Sequence, residues 1–358
     1  MRIGIVTYHN ASNYGAVLQT YALQEAIKKI NQDVEIIDYD NRFIAKGLDV
    51  IRLEPTALGL YHCVHDIIHL KERKEKVRKF KKFFLEKYNL SVKVAKEELL
   101  DGALKYEMGV SGSDQIWNPL LAGHTDEIYF LAFPGIGKRI SYASSFGAYK
   151  FDNEKENNKI SEYLSKYKSI SIRDNPMLLK NVLGVNAYSH CDPTLLLSKD
   201  EWAEKLNIGS SAEKYILVYA LTKAKELIDK AGAIGKKLDL AVKVIGESWY
   251  TGKNIEYIAD AGPVEFVSAF YNASSIITNS FHGTAFATNF GIPFISVINE
   301  KSPERAQSYL NAIRAEDRLK RLEDINAGQL DFGNANYAVN LNRLRDNSMK
   351  YLDAVINK

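Results

Sequence analysis

The stretch that most constrains the fold is IITNSFHGTAFATNFGIPF, residues 276–294. Its apolar opening stops at the polar turn Thr278-Asn279-Ser280, and Phe281-His282-Gly283 leads into a small-residue segment, 284–288, that suits a helix. Gly291 and Pro293 close that helix, and the apolar, β-branched run after them opens another strand. Strand, turn and helix in this order build a parallel α/β sheet, in which ligands meet the carboxyl ends of the strands. A helix amino end at that edge offers unpaired NH groups and partial positive charge, so His282 is expected beside an anion site with Ser280, Gly283 and Thr284. Alone, a turn histidine is more often a solvated or capping residue than a catalyst.

A second element of the same design lies at 169–176, SISIRDNP, where a short alternating strand ends in Arg173-Asp174 before a Pro-started helix. Two strand ends thus present an Arg and a His. A local ion pair competes evenly with ligand binding as the role of Arg173.

The rest of the 358-residue chain repeats the pattern, and its length calls for two packed domains. Strand 3–7, helix 16–30 and strand 34–37 begin a Rossmann-like half over 1–196. The turn HNASNYG lacks GxGxxG, which disfavours NAD or FAD. Ser12, Asn13, Tyr14 and Gly15 suit either helix capping or ligand contact, and His9 either a base or a donor to a sugar. From about 40 to 92 the alternation breaks down, as in an insertion carrying acceptor recognition. Strand 108–111 then ends in GSDQIWNP. Trp117 offers a pyranose an apolar face, and Asp114, Gln115 and Asn118 can bond vicinal hydroxyls; against this stand a turn-capping Asp114 and a core Trp117. A polar linker, 197–214, separates a second Rossmann-like domain at 215–340 with strands at 215–220, 241–245 and 275–278. Glu247 follows one of these strands, within reach of the crevice or exposed in its loop. A last helix, 341–356, with Leu344, Met349, Leu352 and Val355 as its inner stripe, is expected to return to the first domain. The fold class is therefore α/β, two Rossmann-like domains with parallel sheets facing a central cleft.

Six segments in order, VTYHNASNYGAVLQTYALQEAI, GSDQIWNP, SYASSFG, SIRD, DPTLLL and NSFHGTAFATNFGIPF, resemble the polysaccharide pyruvyl transferase family from Ile3 to about Val297. The resemblance implies a GT-B fold, phosphoenolpyruvate as donor, and transfer of its pyruvyl group to a sugar as a ketal. It places Arg173 and His282 on motif positions. Arg173 is then the donor's anion clamp and His282 the proton donor, with Ser280, Gly283, Thr284 and Glu247 on the donor side. Asp114 orients or deprotonates the acceptor, and His9, Asn13, Tyr14, Gln115, Trp117 and Asn118 bind it. Some relatives carry an Arg near this His, so Lys301 or Arg305 is expected to supply the further cation. Two rivals stay open: a nucleotide-sugar glycosyltransferase of the same architecture, and a non-catalytic glycan or sugar-phosphate binding protein.

Composition sets the remaining limits. With 46% hydrophobic and 25% charged residues the chain is globular, and a net charge of +3 without a binding motif gives no case for nucleic acid. Cys63 and Cys191 belong to no CxxC or Cys/His array, so reduced thiols, no metal and no cofactor are expected. No signal sequence or spanning run is evident, which suggests a cytoplasmic protein. In KERKEKVRKFKKFFLEK, 71–87, cations outnumber acids while Val77, Phe80 and Phe84 recur at helical spacing. A solvated basic helix is the ordinary reading. Peripheral contact with anionic lipid, where a lipid-linked sugar acceptor waits, is the functional one.

Overall fold

The computed structural model describes all residues except 40, 52–56, 123, 223, 247–253, 331–336 and 358, and at 43, 57, 58, 60–62 and 122 the backbone alone. Glu247 therefore lies outside the described residues. The chain divides into two compact units, Met1–Asp49 with Phe84–Leu196 and Leu344–Lys358, and Val50–Phe83 with Leu197–Arg343. Both are parallel α/β structures.

In the first unit the strands are β1 (Ile3–Val6), β2 (Val34–Ile36), β3 (Tyr106–Ser111), β4 (Ile136–Ser141), β5 (Ser171–Ile172) and β6 (Tyr188–Ser189). The sheet order is β2-β1-β3-β4, all parallel, with Ile3 paired to Val34 on one side and Met108 on the other. Isolated parallel bridges, Ile140 to Ser169 and Ser144 to Ile172, continue the sheet to β5, which pairs with β6. The strand order reverses between β1 and β3, so the loops after these two strands diverge and leave a crevice at their carboxyl ends. β1 is buried along its whole length, as its unbroken apolar run requires of a central parallel strand. The helix Tyr14–Lys28 follows it, capped by the Asn13 side chain, which accepts from the Ala16 NH.

The second unit holds β7 (Tyr215–Tyr219), β8 (Ala241–Ile245), β9 (Ile255–Ile258), β10 (Ser275–Thr278), β11 (Phe294–Val297) and β12 (Leu319–Lys320). Their order is β12-β11-β10-β7-β8-β9, again all parallel, and the reversal falls between β7 and β10. The edge strands β9 and β12 are not evident along the chain because an edge strand need not be apolar: β9 is half-exposed along its length.

The expected insertion divides differently from its sequence limits, since Val50–Phe83 clusters with the second unit rather than the first. Lys79 anchors it there, at 2.8 Å from Asp260 and 3.5 Å from Glu265. The last helix, Ala338–Ile356, joins the first unit from Leu344 onward. Its inner stripe is corrected to Leu341, Ser348, Leu352 and Ile356, with Leu344, Met349 and Val355 only half-buried. Polar contacts set this rotation, because Ser348 Oγ accepts from the Cys191 NH at 3.1 Å and the Tyr351 hydroxyl donates to the Ser141 carbonyl at 3.1 Å. No helix among the described residues is long and apolar enough to cross a membrane.

Candidate functional site

At the sheet edge of the first unit the backbone is bent where the strands stop. Asp114, just past β3, has φ 72°, and Ala143, just past β4, has φ 49°. Such left-handed residues persist only where their surroundings hold them, and they gather at functional sites. The Ser113 hydroxyl donates to the Ala143 carbonyl at 2.9 Å and the Ala143 NH donates to Ser171 Oγ at 3.1 Å. Ser113, past β3, and Ser171, opening β5, thus hold the bend at Ala143 from both sides.

Arg173 extends from the end of β5 into this edge with its side chain 9% exposed. Its Nη1 donates to Asp192 Oδ2 at 2.7 Å, and its Nη2 is 3.6 Å from Asp114 Oδ1. Burial opposes the positive charge, but the fields of Asp192, Asp114 and Asp174 more than offset it, so the pKa of Arg173 is held above its ordinary value. Asp192 is fixed in turn, because its Oδ1 accepts from both the NH and the hydroxyl of Thr194. Asp174, the neighbour of Arg173, closes the turn after β4, where its two oxygens accept from the Ser145 hydroxyl and the Phe146 NH at 2.7 Å each.

Several expected acceptor residues are committed inward. Trp117 is 1% exposed, stacked on Phe130 at 5.4 Å, with its indole NH on the Tyr129 carbonyl. The expected sugar platform is therefore corrected to a core residue, since neither ring face meets solvent. Asn118 is 4% exposed; its Nδ2 donates to Gln115 Oε1 and its Oδ1 accepts from the Leu120 NH, so it locks a turn. His9 is 3% exposed, with Nε2 at 2.9 Å from Asp38 and Nδ1 at 3.3 Å from the Thr7 carbonyl, which engages both ring nitrogens within the protein. Tyr14 is buried, Asn13 is exposed and half-exposed Gln115 follows Asp114. A group of His124, Asp126 and Glu127 has metal-ligand spacing, and the Lys96 ammonium lies within 3.5, 3.6 and 3.0 Å of their ring nitrogen and carboxylate oxygens.

In the second unit the helix Phe281–Phe290 starts at the reversal point, directly after β10. Ser280 caps it, accepting from the Gly283 NH at 3.3 Å. Gly283 is dictated by contact, because a Cβ there would overlap Thr278 Oγ1. Thr284 is fully buried and its hydroxyl bonds to the Ser280 carbonyl and Ser296 Oγ, so it braces the helix against β11. Asn279, which the sequence alone does not single out, ties the neighbouring loops: its side chain meets the Leu221 NH at 2.7 Å and the Thr222 carbonyl at 2.6 Å, and its own carbonyl accepts from Asn299. Its signal was its place between a buried strand and a helix cap.

His282 sits in the first helical turn, 8% exposed, with its ring edge-on to Phe281 at 5.1 Å. On Phe281 also lies the Arg305 guanidinium, 5.2 Å from the ring centroid. Of the two cations expected to assist, Arg305 is thus placed beside this turn, whereas Lys301 is exposed in the loop before it. The arrangement combines an imidazole, a guanidinium and a capped helix amino end, a set suited to an anion that exchanges a proton.

Parallel doubly wound sheets with a capped helix start after β1 and after β10 define the fold class and a candidate site without naming its chemistry. The sequence model of polysaccharide pyruvyl transferase matches residues 13–302. The chain belongs to the polysaccharide pyruvyl transferase family. No curated protein matches it. Among solved structures it is similar to the UDP-GlcNAc 2-epimerase of Methanocaldococcus jannaschii, with 13% identity, TM-score 0.48, and 97% of this chain and 100% of that one covered. It is similar also to the glycosyltransferase SnogD of Streptomyces nogalater (12%, TM-score 0.46, 100% and 99% covered) and to the ADP-heptose lps heptosyltransferase II of E. coli (9%, 0.40, 97% and 99%). Sheet order rather than these distant likenesses defines the two Rossmann-like units.

Proposed function

We propose that the protein transfers the pyruvyl group of phosphoenolpyruvate to two hydroxyls of a sugar, forming a ketal and releasing phosphate. Family membership supports the reaction class, and the amino end of the helix Phe281–Phe290, with His282 in its first turn, is the observation that carries the reading. Arg173, held in its protonated form by the carboxylates beside it, suits the donor's carboxylate or phosphate. In the second unit Arg305 and the helix NH groups suit anionic oxygens likewise. A proton passes from the His282 imidazolium to C3, C2 becomes electron-poor, and a sugar oxygen bonds to it as its proton passes to the imidazole, which restores the imidazolium. The second hydroxyl then bonds to C2, the C2–O bond to phosphate breaks, and phosphate departs with the second hydroxyl's proton. Asp114 acts as the orienting group or base for an attacking hydroxyl.

The acceptor in this reading is a polysaccharide unit or its lipid-linked precursor, and no cofactor or metal is assigned a step. The test is phosphate release from phosphoenolpyruvate, screened against lipid-linked and nucleotide-linked hexoses. Ketal formation with loss of turnover in His282→Gln supports the reading. Heat protection by a uridine or guanosine nucleotide but not by phosphoenolpyruvate overturns it in favour of a glycosyltransferase.

A further inference from the structure

The helix Ala57–Ile68 and the helix Leu70–Lys87 are nearly one rod. Backbone bonds of the α type cross their junction, from the His69 NH to the His65 carbonyl at 3.0 Å and from the Arg73 NH to the His69 carbonyl at 2.9 Å. The inner side runs unbroken through that junction: Asp66 and Arg73, seven residues apart, pair at 3.1 Å while both are buried, and Val77 and Phe80 continue the stripe. At 3.6 residues per turn the opposite side must also be continuous.

Its residues fall into two chemical blocks. Val64, Ile67 and Ile68 are 48%, 54% and 54% exposed, an aliphatic patch at helical spacing. Lys71, Lys74, Arg78, Lys81 and Lys82 follow on the same side, all exposed. Of the acids on this stripe, Glu75 is held bidentately by Arg78 at 2.6 and 2.8 Å and Glu86 is exposed one turn beyond Lys82, whereas Lys79 turns inward to Asp260. Exposed branched aliphatics have no use in water, and five neighbouring cations disfavour cover by a second copy of the same surface.

We propose that this stripe is a membrane-docking surface, with Val64, Ile67 and Ile68 entering the acyl boundary and the cations of the following helix on anionic lipid headgroups. The partner is an anionic phospholipid bilayer. Charge complementarity and the adjacency of aliphatic and cationic blocks distinguish it from an acidic protein partner, which needs no aliphatic wedge. The inference extends the reading of the basic helix by naming the element that inserts, and it is independent of the pyruvyl donor.

The experiment is flotation of the full chain with vesicles of phosphatidylcholine alone or mixed with phosphatidylglycerol, at low and high salt. Binding is expected only to the mixed vesicles and to weaken with salt. Lys74→Glu with Lys81→Glu should abolish it, and Ile67→Ser with Ile68→Ser should weaken it by roughly tenfold or more, with circular dichroism unchanged. The emission of Ile68→Trp should shift to the blue on anionic vesicles and be quenched by brominated acyl chains. Equal flotation with neutral vesicles, no flotation, an unshifted Trp emission, or capture by polyglutamate in place of vesicles would each overturn the proposal. Phosphate release with a water-soluble acceptor, measured on the same variants, should be unchanged; failure of that reaction in the unaltered chain would count against the proposed function and leave the docking result standing.

Discussion

Arg173 Nη1 lies 2.7 Å from Asp192 Oδ2, and that carboxylate is itself fully buried and anchored by Thr194. In the proposed reaction this pair aims the guanidinium from behind, and Asp192 is then a positioning residue. Asp192→Asn keeps the shape and removes the charge, so it should raise the phosphoenolpyruvate concentration at half-saturation by about tenfold with a smaller change in turnover. Asp192→Ala should also lower stability by about 3 kcal/mol, the usual cost of breaking a buried pair. Steady-state kinetics and urea unfolding of both variants check this.

His282 is expected to carry proton transfer. His282→Gln should reduce turnover by roughly 100- to 10,000-fold, the range that a positioned acid contributes, with the melting temperature preserved. Near-normal turnover in that variant would remove the assignment. Arg173→Ala is a poorer probe than Arg173→Lys, because it leaves Asp192 and Asp114 without their counter-charge and so lowers stability as well as rate.

Gly283 and Thr278 should behave as a coupled pair. Gly283→Ala forces a methyl onto Thr278 Oγ1, at a cost of about 2 kcal/mol of stability. In the background of Thr278→Ala the same change should cost less, and additive losses in thermal unfolding would refute the contact.

Trp117 separates core from sugar platform. Trp117→Ala should destabilise by about 3–5 kcal/mol, while Trp117→Phe keeps the stacking on Phe130 and should leave the acceptor's KM unchanged. A raised acceptor KM in the Phe variant would return Trp117 to the binding surface.

His190 supplies the pH dependence. Burial lowers its pKa from 6.5 to about 4, with Ser171 Oγ at 2.8 Å from Nδ1 and the Tyr351 ring stacked at 4.2 Å. Between those two values the unfolded chain binds a proton that the folded chain does not, so this contribution to stability falls as pH drops from about 6.5 to about 4. His190→Gln should flatten that acid limb in urea midpoints taken across the range. An unchanged limb would show that other groups set it.

Much of the site's scaffold is legible along the chain. The strand, polar turn and small-residue helix at 276–290, with Ser280 as cap and Gly291 as left-handed stop, can be read from neighbours only a few residues apart. The same holds for β1 and its Asn13-capped helix. The inner stripe of the last helix is not legible in this way, for the opposite reason. Its rotation answers to Cys191, Ser141 and Ser169, more than 150 residues away.

The sequence by itself determined that the chain builds two parallel α/β units and that Arg173 and His282 stand at strand or helix ends, because apolar periodicity, caps and glycine stops act over one or two turns. Only the tertiary structure decided which polar groups remain at the crevice edge and which are consumed in holding it. His9 meets Asp38, Asn118 meets Gln115, and Trp117 reaches the Tyr129 carbonyl. A buried polar atom must find a partner, and that partner is chosen by how strands and loops are brought together in space.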